Sequence, residues 1–224
     1  MEGCATCCPD VGTGDTAAII ALAQKESIGL IVIGPEGPLA AGLADQLRDA
    51  GFAVFGPSAA AAQLEASKAF AKDFMKRHGI PTAAYESFDE LEPALAYVRG
   101  RGVACVVKAD GLAAGKGVVM CATVDEACVA LREVMEDRRF GDAGARVVVE
   151  DWLMGEEASY YAITDGERIV TLVAAQDHKR ALDGDLGENT GGMGAYSPAP
   201  VFTPEVERKA FEQVVVPTIR GMAD

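Results

Sequence analysis

The sequence has no excess of positive charge and no long apolar run, and each absence excludes a class of protein. Its 224 residues carry 20 Lys and Arg against 34 Asp and Glu, a formal net charge of −14. Proteins that coat nucleic acid need a net basic face, so we expect no nucleic-acid partner. Charges interrupt every apolar stretch well before the roughly 20 residues that span a bilayer. No basic and apolar leader opens the chain, which favours a cytoplasmic protein without a signal peptide or a membrane partner.

Recognisable metal-binding patterns are also scarce. Cys4-x-x-Cys7-Cys8 resembles half of a zinc or iron–sulfur site, but no second Cys-x-x-Cys follows and both histidines lie far along the chain. We favour reduced thiols at the amino terminus and keep metal binding as the alternative. Cys105 and Cys121 fall within apolar runs, where free cysteine behaves as a small hydrophobic residue.

Glycine is abundant, and half of the residues are hydrophobic. The 25 glycines are clustered rather than periodic, which is typical of loops that approach a ligand closely. The hydrophobic content of 50% with 24% charged residues is that of a folded globular protein.

The order of the first elements predicts an α/β fold that begins with a partial parallel sheet. Residues 15–27 have the pattern of a helix, and the apolar runs 29–33 and 52–55 are separated by a second helix. Apolar strands joined through helices are typical of parallel sheets. Ligands of such sheets lie beyond the carboxyl ends of the strands, where Gly34-Pro35-Glu36 and Gly56-Pro57-Ser58 are found. Plain turns are an equally good interpretation of these two motifs.

The rest of the chain predicts an α+β unit. Residues 58–78 should be helical with a break midway, Phe70 and Phe74 facing inward, and His78 acting as a C-cap. The next predicted strands are 85–88, 103–109, 118–122 and 146–150, with helices at 89–99 and 124–137. The second and third of these strands are too close in sequence for a crossover helix, so they should form an antiparallel hairpin.

Two more strands are predicted on either side of the turn Asp165-Gly166. A loop of about 30 residues follows, with five glycines between Gly184 and Gly194, and a helix then opens at Thr203. Loops of this length inside a compact domain are usually functional.

The sharpest chemical signal is Lys108-Ala-Asp-Gly111-Leu-Ala-Ala-Gly115-Lys116-Gly117. Backbone N–H and ammonium groups in such a hairpin can converge on an oligophosphate. The spacing is not that of a Walker loop, and a strand rather than a helix follows. A lid over ATP phosphates and a simple tight turn are both possible, and we favour the lid because Lys108 would otherwise place a charge in an apolar strand.

Two further segments carry weaker signals. The strand end at Glu150 could read an adenine edge, with its carboxylate accepting from the amino group and Glu157 taking ribose hydroxyls, although acidic strand ends are commonly just solvated. Lys68 could contact a phosphate, although a solvated helical lysine is the commoner role. His178 lies in a charged loop, Gln176-Asp177-His178-Lys179-Arg180, and is better suited to facing a substrate than to a core.

Together these segments closely resemble the phosphoribosylamine–glycine ligase family of ATP-grasp enzymes, from about Ile28 to the carboxyl end. The lysine hairpin and the acidic strand end are similar to those of ATP-grasp proteins in general. The segments 176–180 and 189–198, the latter reading Asn-Thr-Gly-Gly-Met-Gly-Ala-Tyr-Ser-Pro, are specific to the ligases.

The resemblance implies an α/β protein with two parts. Residues 1–66 would be a partial N-terminal substrate-binding domain, and residues 67–224 an α+β ATP-grasp domain with a lid at about 82–150 and the start of a larger subdomain at 151–224. It also implies ligation of glycine to 5-phosphoribosylamine with ATP and Mg²⁺ or Mn²⁺, through a glycyl phosphate, by a protein that is monomeric at full length.

The resemblance further implies roles for individual residues. Nucleotide phosphates would be held by Lys68, Lys108, Gly111, Gly115, Lys116 and Gly117, and adenosine by Glu150, Asp151, Leu153 and Glu157. The phosphoribosyl group would lie at Gly34, Pro35 and Glu36. Glycine and the amine would face Asp177, His178, Lys179, Asn189, Thr190, Gly191, Gly192, Met193 and Gly194. The residues implied to be catalytic are Lys108, Asp177 and Lys179.

Two departures from the family pattern affect these expectations. The family's opening strand and its Gly-Gly-Arg-Glu-His loop have no match here, and its magnesium ligands would fall beyond Asp224. We therefore expect a chain truncated at both ends and inactive alone. A non-catalytic ATP-binding fragment and another purine-pathway ATP-grasp enzyme are the alternatives.

Overall fold

The computed structural model describes residues 3–113, 116–178, 180–184 and 186–223. Its contacts divide the chain into two compact units, Met1–Ala66 and Ser67–Asp224. No helix among the described residues is both long and apolar enough to cross a bilayer.

The first unit contains the predicted parallel pairing. Strands β1 (Ile31–Val32) and β2 (Val54–Phe55) run parallel. Helix α1 (Thr16–Lys25) precedes them, and the Asp15 carboxylate caps it by accepting from the Ala18 N–H at 2.9 Å. The parallel sheet predicted from the order of elements is therefore confirmed.

The helices of this unit cover a small apolar core. The predicted helix between the strands is divided into α2 (Glu36–Ala40) and α3 (Leu43–Asp49), because Gly42 lies between them with a φ of +84°. Helix α4 (Ala59–Ala66) follows β2. The buried residues of the core are Ile33, Leu39, Leu43, Ala44, Leu47 and Ala62.

The second unit begins with α5 (Lys68–Arg77), and the predicted break before it is confirmed. Ser67 is extended and caps α5 by accepting from the Phe70 N–H at 3.1 Å, and His78 is the C-cap, as predicted. The inward position predicted for Phe70 is wrong, since this residue is 37% exposed whereas Phe74 is buried. Buried Lys72 takes part of the inward face instead.

A four-stranded antiparallel sheet forms the centre of the second unit. Its spatial order is β3 (Tyr85–Phe88), β6 (Val147–Asp151), β4 (Cys105–Ala109) and β5 (Val118–Cys121). The predicted β4–β5 hairpin is confirmed, with Lys108 opposite Val118.

Two helices cover one face of this sheet. Helices α6 (Leu91–Arg101) and α7 (Val124–Met135) enclose the core with the alternate β4 residues Cys105, Val107 and Ala109. Because side chains alternate across a strand, Lys108 belongs to the opposite face.

The remainder of the chain forms short strands and a terminal helical segment. Strands β7 (Ala162–Thr164) and β8 (Ile169–Thr171) form the predicted hairpin. The prediction of one long loop after them is wrong, because that region contains β9 (Gln176–Asp177), β10 (Arg180–Leu182), β11 (Leu186–Asn189) and β12 (Ala195–Tyr196). Helix α8 (Pro204–Ala210), a π-helical turn (Phe211–Val215) and α9 (Val216–Ala223) follow.

Candidate active site

The face of the four-stranded sheet opposite α6 and α7 carries a cluster of three charged side chains. Glu150 on β6 directs Oε1 to Nζ of Lys108 on β4 and Oε2 to Nζ of Lys72 on α5. The side chains of Glu150 and Lys72 are 8% and 9% exposed, and that of Lys108 is 26% exposed. Buried charges need partners, and two ammonium groups around one carboxylate give this three-residue cluster a net positive charge.

The acidic strand end is engaged by basic groups on both of its residues. The Glu150 carboxylate contacts the two lysines, and the Asp151 carboxylate accepts from the Arg101 guanidinium, a hydrogen bond that raises the pKa of Arg101. Leu153 is 70% exposed and Glu157 is exposed as well. The Glu150 side chain is therefore engaged by lysines, and the contacts with adenosine expected of Glu150, Asp151, Leu153 and Glu157 stay predictions.

The lysine hairpin is attached to the start of α5. The Asp110 carboxylate accepts from the Ser67 hydroxyl at 3.0 Å and from the Ala69 N–H at 2.6 Å. Nζ of Lys68 donates to the Gly111 carbonyl at 3.1 Å, and the Lys68 N–H donates to the Asp110 carbonyl at 3.1 Å. A carboxylate on helix N–H groups is a favourable cap, so these contacts fix the hairpin root and place Lys68 beside it.

Two of the predicted glycines permit close packing at this root. A Cβ at Gly111 would lie 2.9 Å from Cβ of Ala143, and one at Gly117 would lie 2.8 Å from Cβ of Ala113. Lys116 is exposed, and Gly115 lies outside the described residues. Gly111 and Gly117 thus allow the chain to pack closely against Ala143 and Ala113, in addition to any role in binding phosphate.

A second group of predicted residues is assembled by a short antiparallel ladder. Strand β9 pairs with β12, with Asp177 opposite Ala195. The His178 N–H donates to the Gly194 carbonyl at 2.9 Å, and the Met193 N–H donates to the His178 carbonyl at 3.0 Å. The two segments specific to the resemblance are therefore adjacent in space.

The other residues predicted for this group lie around the same ladder. Asn189 ends β11, and the Thr190 hydroxyl accepts from the Gly192 N–H at 3.2 Å, with Gly191 between them. Gly192 has a φ of +99°, which favours glycine. Lys179 lies outside the described residues.

The predicted motif of the first unit lies at a strand end. Gly34 follows β1, and Pro35 is the N-cap of α2, which begins at Glu36. The neighbouring parallel strand ends at Phe55, just before Ser58, whose hydroxyl accepts from the Ala61 N–H at 3.2 Å. The carboxyl ends of both parallel strands thus carry the Gly-Pro motifs, as the sequence order requires.

Sequence reasoning missed two residues that organise the second unit. In the sequence Lys72 is one of several lysines on a predicted helix, and no pattern links it to Glu150. Asp110 lies inside the hairpin motif, but its contact with Ser67 depends on the tertiary fold. In the part of the chain that the structure describes, no three His, Cys, Asp or Glu side chains form a group that could hold a metal ion.

These elements define an ATP-grasp protein preceded by a small α/β unit. Models of the phosphoribosylglycinamide synthetase N domain and of its ATP-grasp (A) domain match residues 1–65 and 66–224. The chain belongs to the phosphoribosylglycinamide synthetase family, whose curated members are called phosphoribosylamine–glycine ligases. The predicted resemblance is confirmed, and it extends further toward the amino terminus than its motifs indicated.

Individual relatives support the same assignment. The ligase of Vibrio parahaemolyticus is 55% identical over 214 residues, which are 96% of this chain and 50% of that protein. The crystal structure of the Thermotoga maritima ligase is 36% identical with a TM-score of 0.69, covering 75% of this chain and 42% of that one. A Campylobacter jejuni biotin carboxylase–β,γ-ATP complex shares the fold at 16% identity, with a TM-score of 0.76 over 94% of this chain and 46% of that one. The chain spans about half the length of the curated relatives it matches.

Proposed function

We propose that the chain supplies the nucleotide-binding lid and part of the substrate site of a phosphoribosylamine–glycine ligase. The observation that carries this proposal is the Lys108–Glu150–Lys72 cluster at the base of the glycine hairpin. A positive charge on a partly enclosed sheet face attracts phosphate even in an acidic protein, because local charge rather than net charge sets the local potential.

The chemistry of the reaction explains why such a site is needed. A carboxylate is a poor electrophile, so joining glycine to 5-phosphoribosylamine requires its activation as an acyl phosphate by ATP. Enzymes accelerate phosphoryl transfer mainly through positioning and charge neutralisation. In this proposal Lys108 and Lys68 neutralise phosphate charge, the N–H groups of the hairpin orient the phosphates, and the backbone after β6 holds the adenine ring.

The acceptor side of the site is assigned to the β9–β12 ladder. Asp177 and His178 lie beside the Met193–Gly194 backbone, where a carboxylate and an imidazole could hold the ammonium and carboxylate groups of glycine. The motif Gly34-Pro35-Glu36 in the first unit is proposed to bind the phosphoribosyl group, which makes residues 1–66 the substrate-binding part and residues 67–224 the ATP-grasp part.

A divalent cation, Mg²⁺ or Mn²⁺, is proposed for the whole ligase, where it would neutralise the transferring phosphates. The described residues form no cluster suited to hold it, so no step is assigned to a metal bound by this chain. We further propose a cytoplasmic enzyme that is monomeric at full length.

The test separates nucleotide binding from turnover. Isothermal titration calorimetry with ATP should give binding that Lys108→Ala abolishes, because the substitution removes the cation at the hairpin base. A coupled ADP-release assay with glycine and 5-phosphoribosylamine then measures ligation, with formate in place of glycine as the control for a different ATP-grasp activity. Binding without ADP release would identify a nucleotide-binding portion of the ligase, and no ATP binding would refute the proposal.

A further inference from the structure

We propose that Lys72 is a positioning residue that keeps Lys108 available to phosphate, acting through Glu150. The inference rests on the proposed nucleotide site and adds a residue that the sequence motifs do not include. Lys72 lies on α5 rather than on the hairpin, and the structure connects it to the site through one shared carboxylate.

The contacts of Lys72 indicate that it does not bind a ligand directly. Its Nζ donates to the Thr82 hydroxyl at 2.7 Å and to the Ala83 carbonyl at 3.3 Å, and it contacts Oε2 of Glu150. Two of the three N–H donors of this ammonium group are thus taken by neutral oxygens, and its charge is paired with the Glu150 carboxylate. The side chain also lies over the Tyr85 ring, 5.6 Å from its centre.

The surroundings of Lys72 fix its position as well. Tyr85 donates to the Asp73 carboxylate at 2.6 Å, and burial together with this bond raises the pKa of Tyr85 to about 12. The ring therefore stays neutral beside the ammonium group. Lys72 is thus a buried cation with fixed partners, whereas the side chain of Lys108 is 26% exposed and is the more accessible of the two lysines.

Lys72 influences Lys108 because the two ammonium groups share the Glu150 carboxylate, one oxygen each. With both lysines present, the cluster keeps a net positive charge that a phosphate can use. Without Lys72, Glu150 and Lys108 would form a neutral pair, and the carboxylate would compete with phosphate for the Lys108 ammonium. Charges within several ångströms interact strongly on a poorly solvated face, so this change should weaken phosphate binding.

The experiment uses calorimetry of the 224-residue chain with ADP as the phosphate-bearing probe and adenosine as the probe without phosphate. We expect Lys72→Met to weaken ADP binding about tenfold, in keeping with the loss of one nearby charge. Adenosine binding should not change. Lys76→Met is the matched control, because Lys76 is an exposed lysine on the same helix.

A second substitution tests the charge argument itself. Glu150→Gln added to Lys72→Met restores the net positive charge, so the double variant should regain most of the lost ADP affinity. It also removes the buried carboxylate that Lys72→Met leaves with one partner, and thermal unfolding of each variant checks that it is folded. A purely structural role of Lys72 predicts instead that the double variant binds no better than the single one.

The outcomes distinguish this inference from the proposed function. Loss of ADP binding in Lys108→Ala with unchanged binding in Lys72→Met would overturn the role of Lys72 and leave the nucleotide site intact. Equal weakening of ADP and adenosine binding by Lys72→Met, or no recovery in the double variant, would also overturn it. Absence of ADP binding by the unmodified chain would refute the nucleotide site, and the inference with it.

Discussion

At the scale of single residues, two ion pairs hold the ends of strand β6. Asp151 at its end accepts from Arg101, and Arg146 just before it donates to both carboxylate oxygens of Asp89. These pairs tie β6 to the two ends of helix α6, since Asp89 precedes that helix and Arg101 ends it. The strand that carries Glu150 is thereby fixed along its length.

The Arg146–Asp89 pair predicts a specific dependence on pH. The hydrogen bond from Arg146 lowers the pKa of Asp89 below its ordinary value of 3.8. Because the folded-state pKa is the lower one, the stabilisation is present above 3.8 and is lost as the pH falls through the folded-state pKa. Both side chains are well exposed, so the contribution should be below about 1 kcal/mol.

A carboxyl NMR titration measures this shift directly. Arg146→Gln should raise the Asp89 midpoint to near its ordinary value. Asp165 serves as the internal control, because the Arg168 and Glu167 N–H groups, rather than Arg146, lower its pKa. An Asp89 midpoint that does not move in the variant would contradict the assignment of the shift to Arg146.

The two lysines of the cluster, Lys108 and Lys72, differ in how well the sequence predicts their roles. Lys108 could be singled out because a lysine within an apolar strand is unusual. Lys72 could not, because a lysine on a helix is ordinary until its partner is known, and Glu150 lies far along the chain. Burial of a charge is decided by such tertiary pairing, which no local pattern reports.

At the scale of elements, the contact between α7 and the turn that follows it constrains one glycine. The 3₁₀ turn Gly141–Ala145 packs on the end of α7, and a Cβ at buried Gly144 would overlap the Val134 carbonyl oxygen. Avoiding this overlap would require the backbone of α7 to shift. We therefore expect Gly144→Ala to lower the free energy of unfolding by about 1 to 3 kcal/mol.

Urea unfolding, monitored by circular dichroism, tests this expectation. The comparison is a substitution that should raise the free energy of unfolding. Gly100 lies in α6, and a Cβ there would meet no atom within 4 Å. Gly100→Ala should raise the free energy of unfolding by up to about 1 kcal/mol, since alanine favours a helix. Equal effects of the two substitutions would show that Gly144 is not sterically required.

Elements within apolar runs could be predicted from the sequence, whereas short strands within the polar segment 176–196 could not. The β4–β5 hairpin followed from the few residues between two apolar strands, and the break at Ser67 was confirmed by its capping geometry. Strands β9 and β12 have two residues each and, unlike β1 and β2, do not lie within an apolar run that would indicate a strand. Their pairing is set by tertiary contacts around Tyr196, whose hydroxyl donates to the Gln176 side chain.

At the scale of the whole molecule, the cysteines differ between the two units. Cys4, Cys7 and Cys8 in the first unit are exposed, whereas Cys105 and Cys121 in the second are buried. Burial raises the pKa of both buried thiols, that of Cys121 to about 12. The thiolate is the reactive form, so buried thiols should be inert in the folded chain.

Iodoacetamide labelling at about pH 8, resolved by peptide mass spectrometry, tests this difference. Cys4, Cys7 and Cys8 should react rapidly in the folded protein, and Cys105 and Cys121 should react only in urea. Reaction of these two then reports unfolding of the second unit specifically. Labelling of Cys121 as fast as that of Cys7 in buffer would contradict the buried sheet core.

The sites proposed across the molecule differ in how directly the fold supports them. The hairpin root and the β9–β12 ladder each bring together residues that the sequence motifs had grouped. The assignments to phosphates, adenine, glycine and the phosphoribosyl group remain predictions, because they concern ligands rather than contacts within the chain.

The bonds between His178 and the Met193–Gly194 backbone have a consequence for how the family can vary. These two hydrogen bonds hold the ends of the segment between His178 and Met193 together. The ends therefore stay close whatever the length of the segment. The entropic cost of closing a flexible loop rises by only about 0.6 kcal/mol for each doubling of its length. Strands β10 and β11 pair with each other inside this segment, so homologues should tolerate insertions after Leu182 and before Leu186, while the flanking segments keep their register.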